Sequence, residues 1–147
     1  MRACFSLMLG FEQSLALDFE AAHVTDADLS WIAVNSHKPQ RPDLFTLMVH
    51  SSEDYAEAHI DDERDQVMKH LINETSHIIG QDVSQANYKT LHGWRYANNA
   101  DKKQKSPIFI DQGLKLAACG DWCLGGRVEG AFMSAYDLTK HMKETIL

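Results

Sequence analysis

Eight residues near the start of the chain, Cys4 to Phe11 (CFSLMLGF), contain no charged or amide side chain. A run of this kind is far shorter than the roughly 18 apolar residues of a membrane span. It fits a strand buried on both faces, and Glu12 closes it. Such a strand needs neighbours, and the sequence supplies them. Leu44 to His50 (LFTLMVH) reads as a central strand, and Leu29 to Asn35 (LSWIAVN) as another. Between Leu15 and Val24, Leu15, Leu17 and Phe19 alternate with Ala16, Asp18 and Glu20, the period of a half-buried strand. Met1 to Phe11 has the outline of a signal peptide, but no small-residue cleavage site follows, so the buried strand is the better reading.

A sheet with an apolar face needs a cover. Val67, Met68, Leu71, Ile72, Thr75, Ile78 and Ile79 recur at three and four, which predicts an amphipathic helix that Gly80 ends. Asp61-Asp62-Glu63 suits its N-terminus. Ser51 to Asp54 predicts an earlier short helix, reaching about Ala58, with Ser51-x-x-Asp54 as a capping-box variant. Ser36 to Pro42 is a polar loop with two prolines. His70 and His77 are seven apart, too far for one metal ion, and read as surface histidines. Ser84 to Tyr96 has a strand-like composition, with Tyr88, Thr90, Leu91, Trp94 and Tyr96. Asn98 to Lys105 is polar loop. Ile108–Ile110 and Leu114–Cys119 predict two short strands about an Asp111-Gln112-Gly113 turn. Val128, Ala131, Phe132, Ala135, Leu138, Met142 and Ile146 predict a final amphipathic helix. The expected fold class is α+β, with a mostly antiparallel sheet and flanking helices.

The 147 residues carry a formal charge of −7, which argues against nucleic acid or an anionic membrane as partner. The densest basic run is Lys102-Lys103-Gln104-Lys105, read as solvated loop. Cys4, Cys119 and Cys123 form no regular framework and indicate reduced thiols in a cytoplasmic protein. No ligand-spaced second pair supports a metal site, and Cys119 reads as a small core residue.

The most informative stretch is Leu116 to Ala135 (LAACGDWCLGGRVEGAFMSA). It orders a strand, an acidic corner at Asp121, paired glycines at Gly125 and Gly126, and then a helix. Glycines without Cβ let backbone approach a flat or charged ligand. The helix start adds free N–H groups and partial positive charge. Asp121 can accept hydrogen bonds from sugar or ribityl hydroxyls. Gly130 and Ala131 keep the helix slim. A plain strand-to-helix turn would use glycines too.

This stretch, GDWCLGGRVEGAFMSA, resembles the C-terminal flavin-contacting motif of amine-oxidase-type flavoproteins, most closely the renalase-like branch. CFSLMLGFE, LSWIAVNSHKP, LMVHS and HGWRYA look like substrate-domain segments of that branch, in order, so the resemblance covers nearly the whole chain. It implies that residues 1–115 are a substrate-binding domain and 116–147 a strand-turn-helix contributing to an FAD site. It implies that Asp121 meets the ribityl or pyrophosphate part of FAD. It places the backbone around Gly126, Arg127 and Val128 against the pyrimidine edge of the isoalloxazine, with Gly125 also among the cofactor-binding residues. Trp94, Tyr96 and Trp122 are candidates for the substrate-side wall, with Trp94 and Tyr96 packed into a sheet core as the competing account. Arg95 is expected on the opposite face. Asn35 and Lys38 are candidate pocket residues or solvated loop.

The implied chemistry is hydride transfer from a small amine or a dihydronicotinamide-type donor to FAD, with reoxidation by dioxygen. No catalytic acid or base is required, because the cofactor carries the chemistry. The G-x-G-x-x-G turn that opens such enzymes is not in this sequence. The chain is therefore expected to be a C-terminal fragment, inactive alone, binding FAD weakly or not at all without its dinucleotide-binding half. Two other readings stay open. One is a cofactor-free interaction module that dimerises through the exposed flavin-side surface. The other is a stand-alone module using the Gly125-Gly126 corner as an anion cradle.

Overall fold

Strand β1 (Arg2–Phe11) lies between β4 (Phe45–Ser51) and β5 (Tyr88–Asn98) in a five-stranded sheet of order β2-β3-β4-β1-β5, where β2 is Ala21–His23 and β3 is Leu29–Val34. The computed structural model describes residues 1–42, 44–99 and 106–145. The fold is α+β, and the β1–β4, β3–β4 and β2–β3 pairs are all antiparallel. Gly10 lies against Tyr88 and Gly93 against Phe5, so β5 runs opposite to β1.

The register sorts the side chains. Leu7 faces Val49, Leu9 faces Leu47 and Phe11 faces Phe45, while Ile32 and Val34 continue the same layer from β3. Phe5, Leu7, Leu9, Ile32, Leu47 and Val49 are at most 1% exposed. Each such side chain contributes roughly 1.5–3 kcal/mol through burial. Helix α1 (Glu53–His59) and helix α2 (Arg64–Ile79) supply the covering layer through Tyr55, Ala56, Val67, Leu71 and Ile72. Gly80 ends α2 with φ 67°, as a left-handed cap requires.

The other face carries Trp31, Met48 and His50, with Ser6 opposite His50 and Met8 opposite Met48. The expectation that β1 is buried on both faces therefore holds unevenly. Cys4 and Ser6 are buried on this second face, whereas Met8 is only half-buried.

Several local expectations are corrected. Leu15 to Phe19 keep alternating burial but belong to no strand; only Ala21–His23 pairs. Alternation reports which side chains meet the core, not whether the backbone finds a ladder. Ser51 is no helix cap: it ends β4, is buried, and its Oγ accepts from Phe5 N at 2.9 Å. Ser52 caps α1 instead, accepting from Tyr55 N at 3.2 Å. Val83–Gln85 is a 3-10 turn, so β5 starts only at Tyr88.

Contacts divide the chain into two compact units, Arg2–Ala97 and, with Met1, Asn98–Leu147. The division at 115/116 implied by the resemblance falls inside the second unit. The second unit holds a hairpin, β6 (Phe109–Asp111) with β7 (Leu116–Ala118), and helix α3 (Val128–Thr145). The apolar stripe of α3 does not mark its buried face. Val128 is 91% and Phe132 68% exposed, whereas Gly130 and Ser134 face inward. Their small size lets the preceding turn sit close. Ile146 and the Lys102–Lys105 run lie outside the described residues.

Burial, and then the charge of Lys38, push the His50 imidazole below its ordinary value of 6.5. The unfolded chain therefore takes up a proton at this residue before the folded chain does. Stability from this residue is complete above its ordinary value and falls as pH drops through it. His50→Gln should lose less stability than the parent between about pH 7 and about pH 5 in urea unfolding. Equal losses would show that His50 is not buried as described.

Candidate functional site

The corner between β7 and α3 is built by one buried hydroxyl. Ser134 on α3 is fully buried. Its Oγ accepts from Gly120 N at 3.0 Å and donates to Pro107 O at 2.5 Å. One side chain thus ties the helix to the end of β7 and to the lead into β6. Gly130 brings α3 against the turn: a Cβ there would lie 3.0 Å from Leu124 O. A Cβ on Gly120 would strike the Trp122 indole at 2.3 Å. The close packing expected at Gly130 therefore serves the chain's own backbone. Ser134 lies in the informative stretch but drew no role from sequence. A lone serine in a helix gives no signal of two bonds to residues far along the chain.

From Gly120 the backbone makes a 3-10 turn at Asp121–Cys123, with Leu124 N donating to Asp121 O at 2.9 Å and Gly126 N to the same oxygen at 2.8 Å. Gly125 and Gly126 take φ of 91° and 78°, conformations that side chains rarely tolerate. Open space surrounds the missing Cβ of Gly125. The first helical bond of the following turn is Ala131 N to Arg127 O at 3.0 Å. The amides of Val128, Glu129 and Gly130 precede that ladder, where helix N–H groups lack helical acceptors. Asp121, Gly125, Gly126, Arg127 and Val128 are all exposed.

A hollow of about 460 Å³ beside the corner is lined by Leu124, Gly125, Arg127, Glu129, Gly130 and Met133. Asp121, Gly126 and Val128 are at the same corner but do not line it. Asn99 adds a feature the sequence did not flag. Its Nδ2 is buried with no hydrogen-bond partner among the described residues and lies 3.5 Å from the Cβ position of Gly126.

Trp122 belongs to this corner and stacks on Phe109, with ring centroids 5.4 Å apart and planes at 23°. Trp94 and Tyr96 belong to the other unit. They stand on the second face of β5, 53% and 72% exposed, which overturns the account that packs them into the sheet core. Trp94 lies against His92, with centroids 4.2 Å apart. Arg95 points to the helix side, as expected, and pairs with Asp61. Asn35 opens a 3-10 turn, Asn35–His37, and accepts from Lys38 N at 3.4 Å.

Cys123 is buried, whereas Cys119, expected as the core residue, is only half-buried. The 3-10 turn rotates Cys123 inward, which the linear pattern of apolar residues does not show. Among the described residues no group of three His, Cys, Asp or Glu side chains is placed to hold a metal ion.

Ser134→Ala should destabilise the C-terminal unit by about 1 kcal/mol, because it removes the partner of a half-buried N–H and of a half-buried carbonyl. Thermal unfolding followed by Trp122 fluorescence in a Trp31→Phe, Trp94→Phe background checks this, and an unchanged transition would contradict the bonding role of Ser134. No protein-family model matches the chain.

Proposed function

We propose that this chain supplies the flavin-contacting corner and substrate-side sheet of an FAD-dependent oxidoreductase of the renalase-like amine-oxidase type. The observation that carries the reading is the exposed Gly125-Gly126 backbone, at positive φ, feeding directly into the start of α3. Three features fit a flat, polar cofactor edge. Gly125 has open space where a side chain would stand. The first amides of α3 precede its hydrogen-bond ladder. Asn99 Nδ2 is a buried donor without an acceptor among the described residues.

When bound, FAD supplies the hydride acceptor and its reoxidation by dioxygen. The chain's own part is positional and electrostatic. The start of α3 favours negative charge beside it, the condition of a reduced flavin edge. Asp121, exposed at the turn, offers acceptors to ribityl hydroxyls. Trp94, Tyr96 and Trp122 offer apolar area to a small amine or dihydronicotinamide-type donor. The phosphate and adenine contacts belong, on this reading, to a dinucleotide-binding partner domain in the cytoplasm. The outward apolar stripe of α3, with Val128, Phe132, Tyr136 and Met142 exposed, gives such a partner a surface to cover.

That same stripe favours a second reading, a cofactor-free module that dimerises. One preparation separates the two. Joined to a G-x-G-x-x-G dinucleotide-binding domain, the chain should purify yellow, and Asp121→Asn should weaken FAD retention by roughly tenfold. A colourless protein that sediments as a dimer through α3 would favour the second reading and contradict the first.

A further inference from the structure

In the unit Arg2–Ala97, the α1–α2 corner and the residues leading into β3 line an open hollow of about 520 Å³. At its wall is Tyr55, 9% exposed. Its ring lies against two imidazoles, His59 at 4.4 Å and His70 at 4.9 Å between centroids, the latter parallel within 9°. Each imidazole is held by a carboxylate: His59 Nδ1 to Asp62 Oδ2 at 2.7 Å, and His70 Nε2 to Asp28 Oδ2 at 2.7 Å. Among the described residues, the Tyr55 hydroxyl has no hydrogen-bond partner. Burial raises the phenol above its ordinary range, and the charges of Asp28 and Asp62 push it the same way. The negative field of both carboxylates thus reaches that hydroxyl.

Apart from the Gln66 amide and the Tyr55 hydroxyl, which can also donate, the free polar atoms lining the hollow are acceptors. A proton on the bonded ring nitrogen leaves His59 Nε2 and His70 Nδ1 with lone pairs, and each aspartate keeps a second oxygen. Among the described residues no lysine or arginine lines the hollow. Asp54, also at the rim, is engaged by Arg2 at 2.6 Å. A primary ammonium group has three N–H donors, no acceptor and a positive charge, the complement of such a set.

We propose that the Tyr55–His59–His70 hollow binds a small organic ammonium ion, its N–H groups shared between the Tyr55 hydroxyl and the carboxylates of Asp28 and Asp62. Calorimetric titration of the full chain with n-butylamine at neutral pH, against n-butanol as the uncharged control, tests it. Butylamine should bind saturably and butanol should not. Tyr55→Phe and Asp28→Asn should each weaken butylamine binding by roughly tenfold with unchanged far-ultraviolet dichroism. If Asp28→Asn unfolds, Asp62→Asn takes its place. Absence of saturable butylamine binding, equal binding of butanol, or parent-like affinity in both variants would overturn the proposal.

Discussion

A strand sends alternate side chains to opposite faces, and the alternation of β1 divides the sheet unit into two environments. Ala3, Phe5, Leu7, Leu9 and Phe11 commit one face to the helical layer, and the register carries that commitment across β4 and β3. A slip of one residue would exchange Leu7 and Leu9 for Ser6 and Met8 and empty the core. The second face is thereby left to residues of another kind: Trp31, His50, Trp94 and Tyr96. The proposed substrate side of the sheet follows from what the core does not use.

The C-terminal unit works by a different constraint. Its inward helix face is small and polar, so bonds rather than apolar volume hold the corner. Ser134 fixes where β7 ends, Gly130 lets the turn approach, and the positive-φ glycines then present bare backbone outward. A corner fixed by buried bonds can keep open amides without collapsing onto them, which is the preorganisation a cofactor contact requires.

The long periodic elements were legible in the sequence. The apolar run of β1 and the three-four stripe of α2 each have one physical solution, and Gly80 marked its own stop. The sequence does not decide between core and surface for Trp94 and Tyr96, because strand alternation does not say which face is covered. The α3 stripe misled for a related reason. Periodicity finds an apolar face but not its partner, and here Gly130 and Ser134 are what the unit buries. Leu15 to Phe19 alternated without a neighbouring strand, and Ser52 capped α1 while Ser51 was drawn into the sheet. The bonds of Ser134, the approach of Asn99 to Gly126 and the placing of His70 against Tyr55 and Asp28 all depend on contacts between residues distant in sequence, which no local pattern encodes.

The most direct test of the flavin-contact reading is the backbone amide spectrum of the isotope-labelled chain titrated with free flavin mononucleotide. The reading predicts concentration-dependent shifts confined to the amides of Gly125 through Gly130 and the side-chain amide of Asn99, with the sheet amides unmoved. Silence at those amides, at flavin concentrations that shift others, would contradict it.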